Sequence, residues 1–247
     1  LCSHVLGFTG IDSQGLDGIE LIYEKYLKGT PGRIVSEKDA LSRKLPFGID
    51  QYIPPEDGLD LVLTIDKIIQ HIAERELEKA IAEHNAKRGT IIVMDPKTGE
   101  ILALTNKPDY DPNNYSEYPQ NLWRNAAVSD VYEPGSTFKI VTASAALEEG
   151  VARPEDKFFD PGYAIVSGVR IGCWYHGGHG SQTFIQLLEN SCNPGFVEIG
   201  TKLGKERFLK YIKGFGFGEI TGIDLPGEAR GILDPSKIGP VELATIS

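Results

Sequence analysis

The sequence predicts an α+β domain in which helices surround an antiparallel sheet. A long amphipathic helix is expected at residues 66–85, and a hairpin of two apolar runs follows at residues 89–105. Three more helical segments come later, at residues 136–149, 183–190 and 205–213. A helix, a hairpin and then several helices in this order are typical of helices packed on an antiparallel sheet.

Residues 1–60 precede these elements and predict an irregular outer module. They are rich in Gly and Pro, with turn signals at residues 30–32 and 54–55. Only one short amphipathic run, at residues 16–27, interrupts them. We therefore place a domain boundary near residue 60, with residues 61–247 forming the main domain.

The helix at residues 66–85 has a clear period. Ile69, Ala73, Leu77 and Ile81 recur every four residues, whereas charged side chains fill the opposite face. One face of this helix is therefore expected to pack on a core.

The hairpin that follows is predicted by two β-prone runs, at residues 89–95 and 100–105, joined by Pro96, Lys97, Thr98 and Gly99. Pro and Gly between apolar runs are turn residues. This segment therefore begins the sheet.

The next helix, at residues 136–149, has both boundaries marked in the sequence. Glu133, Pro134 and Gly135 precede it, and Gly150 closes it. A polar loop at residues 109–125 separates this helix from the hairpin.

The composition is globular and acidic. Of the 247 residues, 40% are hydrophobic and 24% charged, and the net charge is −10. This charge would repel phosphates, so nucleic acid is not an expected partner. The apolar stretches fall short of the roughly 20 residues of a membrane helix. Because the first residue is Leu1 and not Met, we expect an export signal or anchor to have been removed.

Ser136 and Lys139 form the first candidate catalytic pair. Three residues apart at the start of a helix, their side chains lie on one face and can hydrogen-bond. Serine is a poor nucleophile unless a base activates it, and lysine becomes a base when burial lowers its pKa. The Ser136 N–H at the helix N-terminus could stabilise an oxyanion. Alone, this spacing more often marks a capped helix with a solvated lysine.

Ser191, Cys192 and Asn193 form a second polar element, which we predict to lie on a loop before Pro194 and Gly195. A hydroxyl and a carboxamide two residues apart can face one cleft, with Ser191 relaying a proton and Asn193 holding a substrate amide. By itself, such a tripeptide is more often a turn that ends a helix.

Together, these two elements, 55 residues apart, resemble the first two active-site boxes of penicillin-binding proteins. Residues 63–74, 94–103 and 132–139 are similar to the transpeptidase domain of class B members, and residues 15–29 resemble their N-terminal pedestal module. The resemblance covers nearly the whole chain. It implies the penicillin-binding transpeptidase fold, C-terminally incomplete and with part of the pedestal in residues 1–60.

The resemblance also implies a peptidoglycan D,D-transpeptidase that cross-links stem peptides. Ser136 would carry the acyl group, Lys139 would act as base, Ser191 would move protons and Asn193 would hold the substrate. Peptidoglycan stem peptides, β-lactam antibiotics and proteins of a cell-wall synthesis or sporulation complex would be partners, and no cofactor is expected. The protein would act at the extracytoplasmic face of the bacterial membrane, anchored by an N-terminal segment that precedes this chain.

The family's third box, Lys-Thr-Gly, occurs here only as Lys97, Thr98 and Gly99. These residues precede the nucleophile and lie at the predicted hairpin turn, so we do not assign them to the active site. No Lys-Thr-Gly or Lys-Ser-Gly follows Asn193. Activity of these 247 residues alone is therefore doubtful.

Cys173 and Cys192 are a candidate redox pair. A disulfide between them would tie the loop at residues 173–180 to the cleft wall and could displace Ser191 or Asn193. The Ser-Cys-Asn box with an earlier cysteine resembles the stage V sporulation protein D subgroup. Buried, unpaired thiols are the alternative.

A zinc site is a third interpretation of this segment, with Cys173, His176, His179 and Cys192 as ligands. Because the spacings do not match the usual zinc-finger pattern, we expect no metal.

Two other functions compete with transpeptidation. A serine β-lactamase or β-lactam sensor shares the Ser-x-x-Lys chemistry, but the extra module at residues 1–60 argues against it. A non-catalytic cell-wall scaffold is the other, although the set of Ser136, Lys139, Ser191 and Asn193 is intact.

Overall fold

The computed structural model describes residues 1–35 and 51–247. The part of the predicted outer module at residues 36–50 lies outside this description. Contacts divide the chain into two units, which we call the N-terminal and C-terminal units. The N-terminal unit comprises Leu1–Asp130 with Gly222–Ala229, and the C-terminal unit comprises Val131–Thr221 with Arg230–Ser247. The predicted boundary near residue 60 remains a prediction.

The N-terminal unit contains five α-helices and four strands among its described residues. They are α1 Ser3–Leu6, α2 Gly18–Ile22, α3 Glu24–Leu27, β1 Arg33–Val35, β2 Gln51–Ile53, α4 Lys67–His84, β3 Gly89–Met94, β4 Ile101–Lys107 and α5 Ala126–Ser129. Strand β1 pairs with β2, and β3 pairs with β4, both antiparallel. The amphipathic run predicted at residues 16–27 forms α2 and α3.

Helix α4 is the predicted amphipathic helix. Asp66 caps its N-terminus by accepting from Ile68 N and Ile69 N, and Asn85 ends it in the left-handed conformation. Ala73 and Leu77 are buried, as the four-residue period predicts. Gln70 is buried as well, and its side chain joins the main chain of Leu104 in β4 through bonds of 2.9 and 3.1 Å.

The C-terminal unit has one α-helix, then four short strands, then four more α-helices. They are α6 Lys139–Glu148, β5 Lys157–Asp160, β6 Tyr163–Val166, β7 Val169–Gly172, β8 Gly180–Thr183, α7 Phe184–Glu189, α8 Asn193–Leu203, α9 Lys205–Gly214 and α10 Pro240–Ile246. Strand β5 pairs with β8 and β6 with β7, both antiparallel. The helices predicted after residue 135 thus correspond to α6, α7 and α9.

Two apolar clusters form the core of the C-terminal unit, and both include residues of α6. The first joins Ala143 and Ala146 of α6 to Phe184, Leu187 and other residues of α7 and α8. The second joins Val141 and Ala145 to Phe208 and Ile212 of α9, and it includes Leu243 of α10. Helix α6 is therefore fixed on two sides.

No helix in the two described ranges combines the length and the apolar character needed to cross a lipid bilayer.

Candidate active site

A buried lysine is the centre of the polar site in the C-terminal unit. Lys139, the first residue of α6, is only 6% exposed. Its Nζ lies 2.8 Å from Ser191 O, 3.0 Å from Ser191 Oγ and 2.7 Å from Asn193 Oδ1. Ser136 Oγ is 3.5 Å away. The structure therefore brings together all four residues of the two predicted boxes.

Ser136 lies in a single 3-10 turn, Gly135–Phe138, that runs directly into α6. Gly135 has φ +60°, a conformation that favours glycine, and thereby turns the chain into the helix. In a 3-10 turn, side chains three residues apart eclipse each other, which aligns Ser136 with Lys139. Ser136 is exposed whereas Lys139 is buried. The hydroxyl is thus accessible from solvent while its predicted base is held beneath it.

The second box begins in a turn and ends in a helix. Ser191 follows α7 and has φ +48°, in the left-handed region that non-glycine residues seldom occupy. Cys192 is the N-cap of α8, and Asn193 is the first helical residue. The loop prediction was therefore wrong for Asn193. Pro194 does not break the helix because it occupies the first turn, where its missing N–H costs nothing.

Asn193 is fixed at both ends of its carboxamide. Its Oδ1 accepts from Lys139 Nζ, and its Nδ2 donates to Gly172 O at 3.2 Å. Gly172 ends β7, so the β6–β7 hairpin takes part in orienting this side chain. The Asn193 carboxamide therefore has a fixed orientation before a substrate carbonyl approaches Nδ2.

Burial lowers the pKa of the Lys139 ammonium below its ordinary value, although Cys192 and Cys173 act weakly in the opposite direction. The Phe196 ring lies beneath the amine, with its centroid 5.4 Å from Nζ. A lower pKa makes the neutral amine, and therefore a base, more accessible.

The Ser136 N–H lies in the first turn of a helical segment, where backbone donors have no acceptor within the helix. Such a donor can stabilise negative charge that develops on a carbonyl oxygen attacked by Ser136 Oγ. The geometry thus supplies a nucleophile, a buried amine and one oxyanion donor.

A second cluster, which we call the Asp160 cluster, comprises Asp160, Cys173, His179 and Cys192. Their ligand atoms all lie within 4.8 Å of one another. The carboxylate of Asp160 is 1% exposed. Its Oδ2 accepts from His179 N at 3.0 Å and from the Cys192 thiol at 3.3 Å, and lies 3.0 Å from His179 Nδ1. Cys192 lies between Ser191 and Asn193, so its hydrogen bond to Asp160 helps to hold the second box in place.

The carboxylate and thiols of this cluster have opposite preferences for protons. Burial alone raises the pKa of Asp160, but hydrogen bonds from Cys173, His179 and Gly162 outweigh burial and hold the pKa well below its usual range. Burial raises the pKa of Cys192 to about 11, and it also raises that of Cys173. Around neutral pH, the cluster therefore holds a carboxylate that accepts from protonated thiols.

The Asp160 cluster could also hold a metal ion, since two thiolates, an imidazole and a carboxylate are donors that suit zinc. His176, which the sequence suggested as a zinc ligand, is not part of the cluster. The fourth possible ligand is Asp160 instead. Binding would require both thiols to lose their protons.

Cys173 and Cys192 are both free thiols in the structure. Their sulfur atoms belong to the same cluster, so the predicted redox pair is adjacent in space. The disulfide itself remains a prediction.

Several residues that shape this site cannot be recognised from the sequence alone. Asp160 was missed because it precedes Pro161 and Gly162 and so resembles an ordinary turn residue. Gly172, Trp174 and Gln182 gave no usable signal, since they contact Asn190 or Asn193 across sequence separations of 8 to 21 residues. Lys97 lies at the β3–β4 turn, as predicted, where its N–H donates to Asp95 Oδ1.

Comparison with known proteins identifies the fold. A family model described as the penicillin binding protein transpeptidase domain matches residues 89–247. The chain is 52% identical to stage V sporulation protein D of Bacillus subtilis (strain 168), over 98% of this chain and 38% of that protein. It is 33% identical to the peptidoglycan D,D-transpeptidase FtsI of Escherichia coli (strain K12), over 99% of this chain and 41% of that protein.

Solved structures agree with this result. Penicillin binding protein 3 from Mycobacterium tuberculosis aligns with a TM-score of 0.84 and 30% identity, over 99% of this chain and 51% of that chain. The same protein complexed with ampicillin aligns equally well. The predicted penicillin-binding transpeptidase fold is thus confirmed, and the chain spans less than half the length of the curated relatives it matches.

Proposed function

Because this chain belongs to the family of penicillin-binding protein transpeptidase domains, we propose that the protein is a serine-type peptidoglycan D,D-transpeptidase. The observation that carries this proposal is the buried Lys139 amine, which contacts Ser136 Oγ, Ser191 and Asn193 together. Relatives named as peptidoglycan D,D-transpeptidases support the assignment of reaction and substrate class.

In the proposed mechanism, the neutral Lys139 amine accepts the proton of Ser136 Oγ as that oxygen attacks the carbonyl between two D-alanine residues of a stem peptide. The Ser136 N–H stabilises the oxyanion. An acyl-enzyme forms on Ser136 and the terminal D-alanine leaves, with Ser191 Oγ passing a proton from Lys139 to the departing amine. The amine of a second stem peptide then attacks the ester, which forms the cross-link and frees Ser136.

Asn193 has the role of holding the peptide amide of the substrate. Its Nδ2 already donates to Gly172 O, and its Oδ1 is held by the Lys139 amine. A β-lactam would enter the same reaction, because its strained amide can acylate Ser136. Penicillin binding protein 3 from Mycobacterium tuberculosis, solved in complexes with ampicillin and with aztreonam, supports this part of the proposal.

The first test is covalent labelling of the full-length protein by a fluorescent penicillin, read by denaturing gel and intact mass. We expect labelling of the natural sequence and none of the Ser136→Ala variant. Lys139→Arg should lower the labelling rate by about 10²-fold or more, since guanidinium cannot act as a base at neutral pH. The matched control is Lys97→Arg, in the other Lys-Thr-Gly sequence, which should label normally. Labelling that survives Ser136→Ala would refute the assignment.

Two alternatives make different predictions in the same experiment. A serine β-lactamase or β-lactam sensor would also be labelled, but the β-lactamase would release the label within minutes. A non-catalytic scaffold would not be labelled at all. A stable label that requires Ser136 would exclude both the β-lactamase and the scaffold, and release of D-alanine from a stem peptide would separate the transpeptidase from a sensor.

The place of action and the protein partners belong to the same proposal. We place the protein at the extracytoplasmic face of the bacterial membrane, held by an N-terminal segment that precedes this chain, among proteins of cell-wall synthesis or sporulation. The similarity to stage V sporulation protein D supports a role in sporulation. Fractionation of sporulating cells, with detection by a fluorescent penicillin that does not enter the cytoplasm, would test the location.

Cys173 and Cys192 are proposed to be a redox pair that controls this site. Oxidation by a disulfide reagent would remove one proton and one electron from each thiol and would pull Cys192 away from Asp160. When the oxidised, non-reduced protein is alkylated and analysed by mass spectrometry, neither Cys173 nor Cys192 should carry the alkyl group. Finding both thiols alkylated after oxidation would contradict the pairing.

A further inference from the structure

Asn190, the residue before Ser191, has three polar groups that are each held by a different partner. Its N–H donates to Gln186 O at 2.9 Å within the last turn of α7. Its side-chain Nδ2 donates to the buried Gln182 Oε1 at 2.7 Å. Its carbonyl accepts from Trp174 Nε1 at 2.8 Å. The peptide that enters Ser191 is therefore fixed in orientation.

This fixed peptide matters because Ser191 has φ +48°. A serine in the left-handed region is unfavourable unless its surroundings hold it there. In this conformation, both the carbonyl and the hydroxyl of Ser191 face Lys139 Nζ. A relaxed Ser191 would lose at least one of these two contacts.

The end of β7 and the loop that follows it contact the second box and the residue before it. Gly172 O accepts from Asn193 Nδ2, and Trp174 Nε1 donates to Asn190 O. Residues 172 and 174 therefore hold the residues on either side of the Ser191–Cys192 pair. The loop itself is anchored, since Cys173 N donates to Gly162 O at 2.8 Å.

Packing alone does not account for Trp174. Its side chain is 61% exposed, which is unusual for so large an apolar group. It contacts the rings of Tyr175 and His179 at centroid distances of 5.9 and 5.5 Å. The one polar atom of the ring, Nε1, donates its hydrogen bond to Asn190 O.

We propose that Trp174 is a positioning residue for Ser191, acting through its hydrogen bond to Asn190 O. The indole N–H holds the Asn190–Ser191 peptide in the orientation that directs the Ser191 hydroxyl to Lys139. This inference rests on the proposed function, and it adds a residue that lies outside the sequence boxes of the family.

The test uses the full-length protein and the Trp174→Phe variant, which keeps an aromatic ring and removes the N–H. Acylation by a fluorescent penicillin is followed over a range of concentrations, which gives the maximal rate and the half-saturating concentration separately. Trp174→Phe should lower the maximal rate by about fivefold, the loss expected for one hydrogen bond, with little change in half-saturation. Tyr175→Phe, in the neighbouring exposed ring, is the matched control and should leave both parameters unchanged.

A double-mutant cycle separates positioning from a structural effect. If Trp174 acts through the Ser191 hydroxyl, Trp174→Phe should have little further effect on the maximal rate once Ser191→Ala is present. If the double variant loses the product of the two single-variant factors in maximal rate, Trp174 does not act through the Ser191 hydroxyl and the inference fails. A variant that was only partly folded would show a reduced labelled fraction at saturation with a normal rate, which also refutes the inference.

Failure of the proposed function has a different signature. If the natural sequence is not acylated at Ser136, the transpeptidase assignment fails. If the natural sequence is acylated and Trp174→Phe matches it in maximal rate, only the role of Trp174 fails.

Discussion

At the scale of single residues, Lys139 is the most constrained side chain of the site. A protonated amine has three hydrogens, and Ser191 O, Ser191 Oγ and Asn193 Oδ1 are three close acceptors. The fourth contact, to Ser136 Oγ, is longer. Loss of one proton frees a lone pair, which can then accept from the Ser136 hydroxyl. The contacts therefore suit both protonation states of the lysine.

This arrangement predicts how acylation depends on pH. Burial lowers the pKa of Lys139 from its ordinary value of 10.5, so the neutral amine appears at a lower pH than in a free lysine. The acylation rate of the full-length protein should increase with pH, with a midpoint below that value. Initial rates with a fluorescent penicillin between about pH 6 and pH 10 would measure it. A rate that is flat across this range would argue against Lys139 as the base.

Asp160 carries the largest predicted effect on stability. Asp160→Asn would place an amide donor among groups that already donate to the carboxylate, and we expect a loss of about 3 kcal/mol in the free energy of unfolding at neutral pH. Urea denaturation of both proteins would measure the loss. Asp57→Asn, at an exposed position, is the control and should change stability by less than about 0.5 kcal/mol.

The pH dependence of this effect has a definite sign. Hydrogen bonds hold the pKa of Asp160 below its ordinary value, so the unfolded chain binds its proton first as the pH falls. The stabilising contribution is complete above the pKa of an unfolded aspartate, about 4, and is lost progressively as the pH falls from there through the lower pKa of the folded protein. The difference between Asp160→Asn and the natural protein should therefore shrink in acid. A difference that persists unchanged at low pH would contradict this origin.

The sequence identified the reactive residues but not those that hold them. Ser136, Lys139, Ser191 and Asn193 have a spacing that can be read directly. Asp160, Gln182 and Trp174 act through contacts that exist only when loops and strands have come together. No local pattern marks such residues, because their neighbours in space are remote in sequence.

At the scale of elements, the contact between α7 and α8 sets the geometry of the second box. Gly195 lies in the first turn of α8, and a Cβ there would approach Leu187 Cδ2 at 2.4 Å. Leu187 is fully buried and cannot move away freely. The close contact brings the start of α8, and with it Asn193, near α7.

Gly195→Ala should therefore destabilise the C-terminal unit by about 1 to 3 kcal/mol through overpacking. Thermal unfolding followed by circular dichroism would detect this as a lower midpoint. Gly214→Ala, at the end of α9, has open space around the new Cβ and should be neutral or slightly stabilising. Equal midpoints for the two variants would refute the packing argument.

The elements differ in how well the sequence predicts them. Helix α4 and the β3–β4 hairpin carry long periods and clear turn residues, so their positions were predicted closely. Strands β5 to β8 have only four residues each, too short for a period to be visible. Helix α8 was missed because Pro194 and Gly195 look like a turn, although both are compatible with the first turn of a helix.

At the scale of the whole molecule, the chain covers 38% of stage V sporulation protein D of Bacillus subtilis. No Lys-Thr-Gly or Lys-Ser-Gly sequence follows Asn193. A strand with that sequence, the third box that the resemblance to penicillin-binding proteins implies, would supply a second oxyanion donor.

The 247-residue chain alone should therefore acylate more slowly than the full-length protein. Loss of one oxyanion donor corresponds to a factor of about 10² or more in rate. Parallel labelling of both proteins with the same fluorescent penicillin would measure the ratio. Equal rates would show that residues 1–247 contain a complete acylation site.

The order in which the two units appear along the chain affects how the protein is made. Leu225 belongs to the apolar core of the N-terminal unit together with Val5 and Leu104, and Ala229 N donates to Val128 O. During synthesis, the ribosome must therefore translate residues 131–221 before this core can receive Leu225. Contacts between residues so distant in sequence form slowly. The N-terminal unit thus completes its packing only after residues 131–221 have been made.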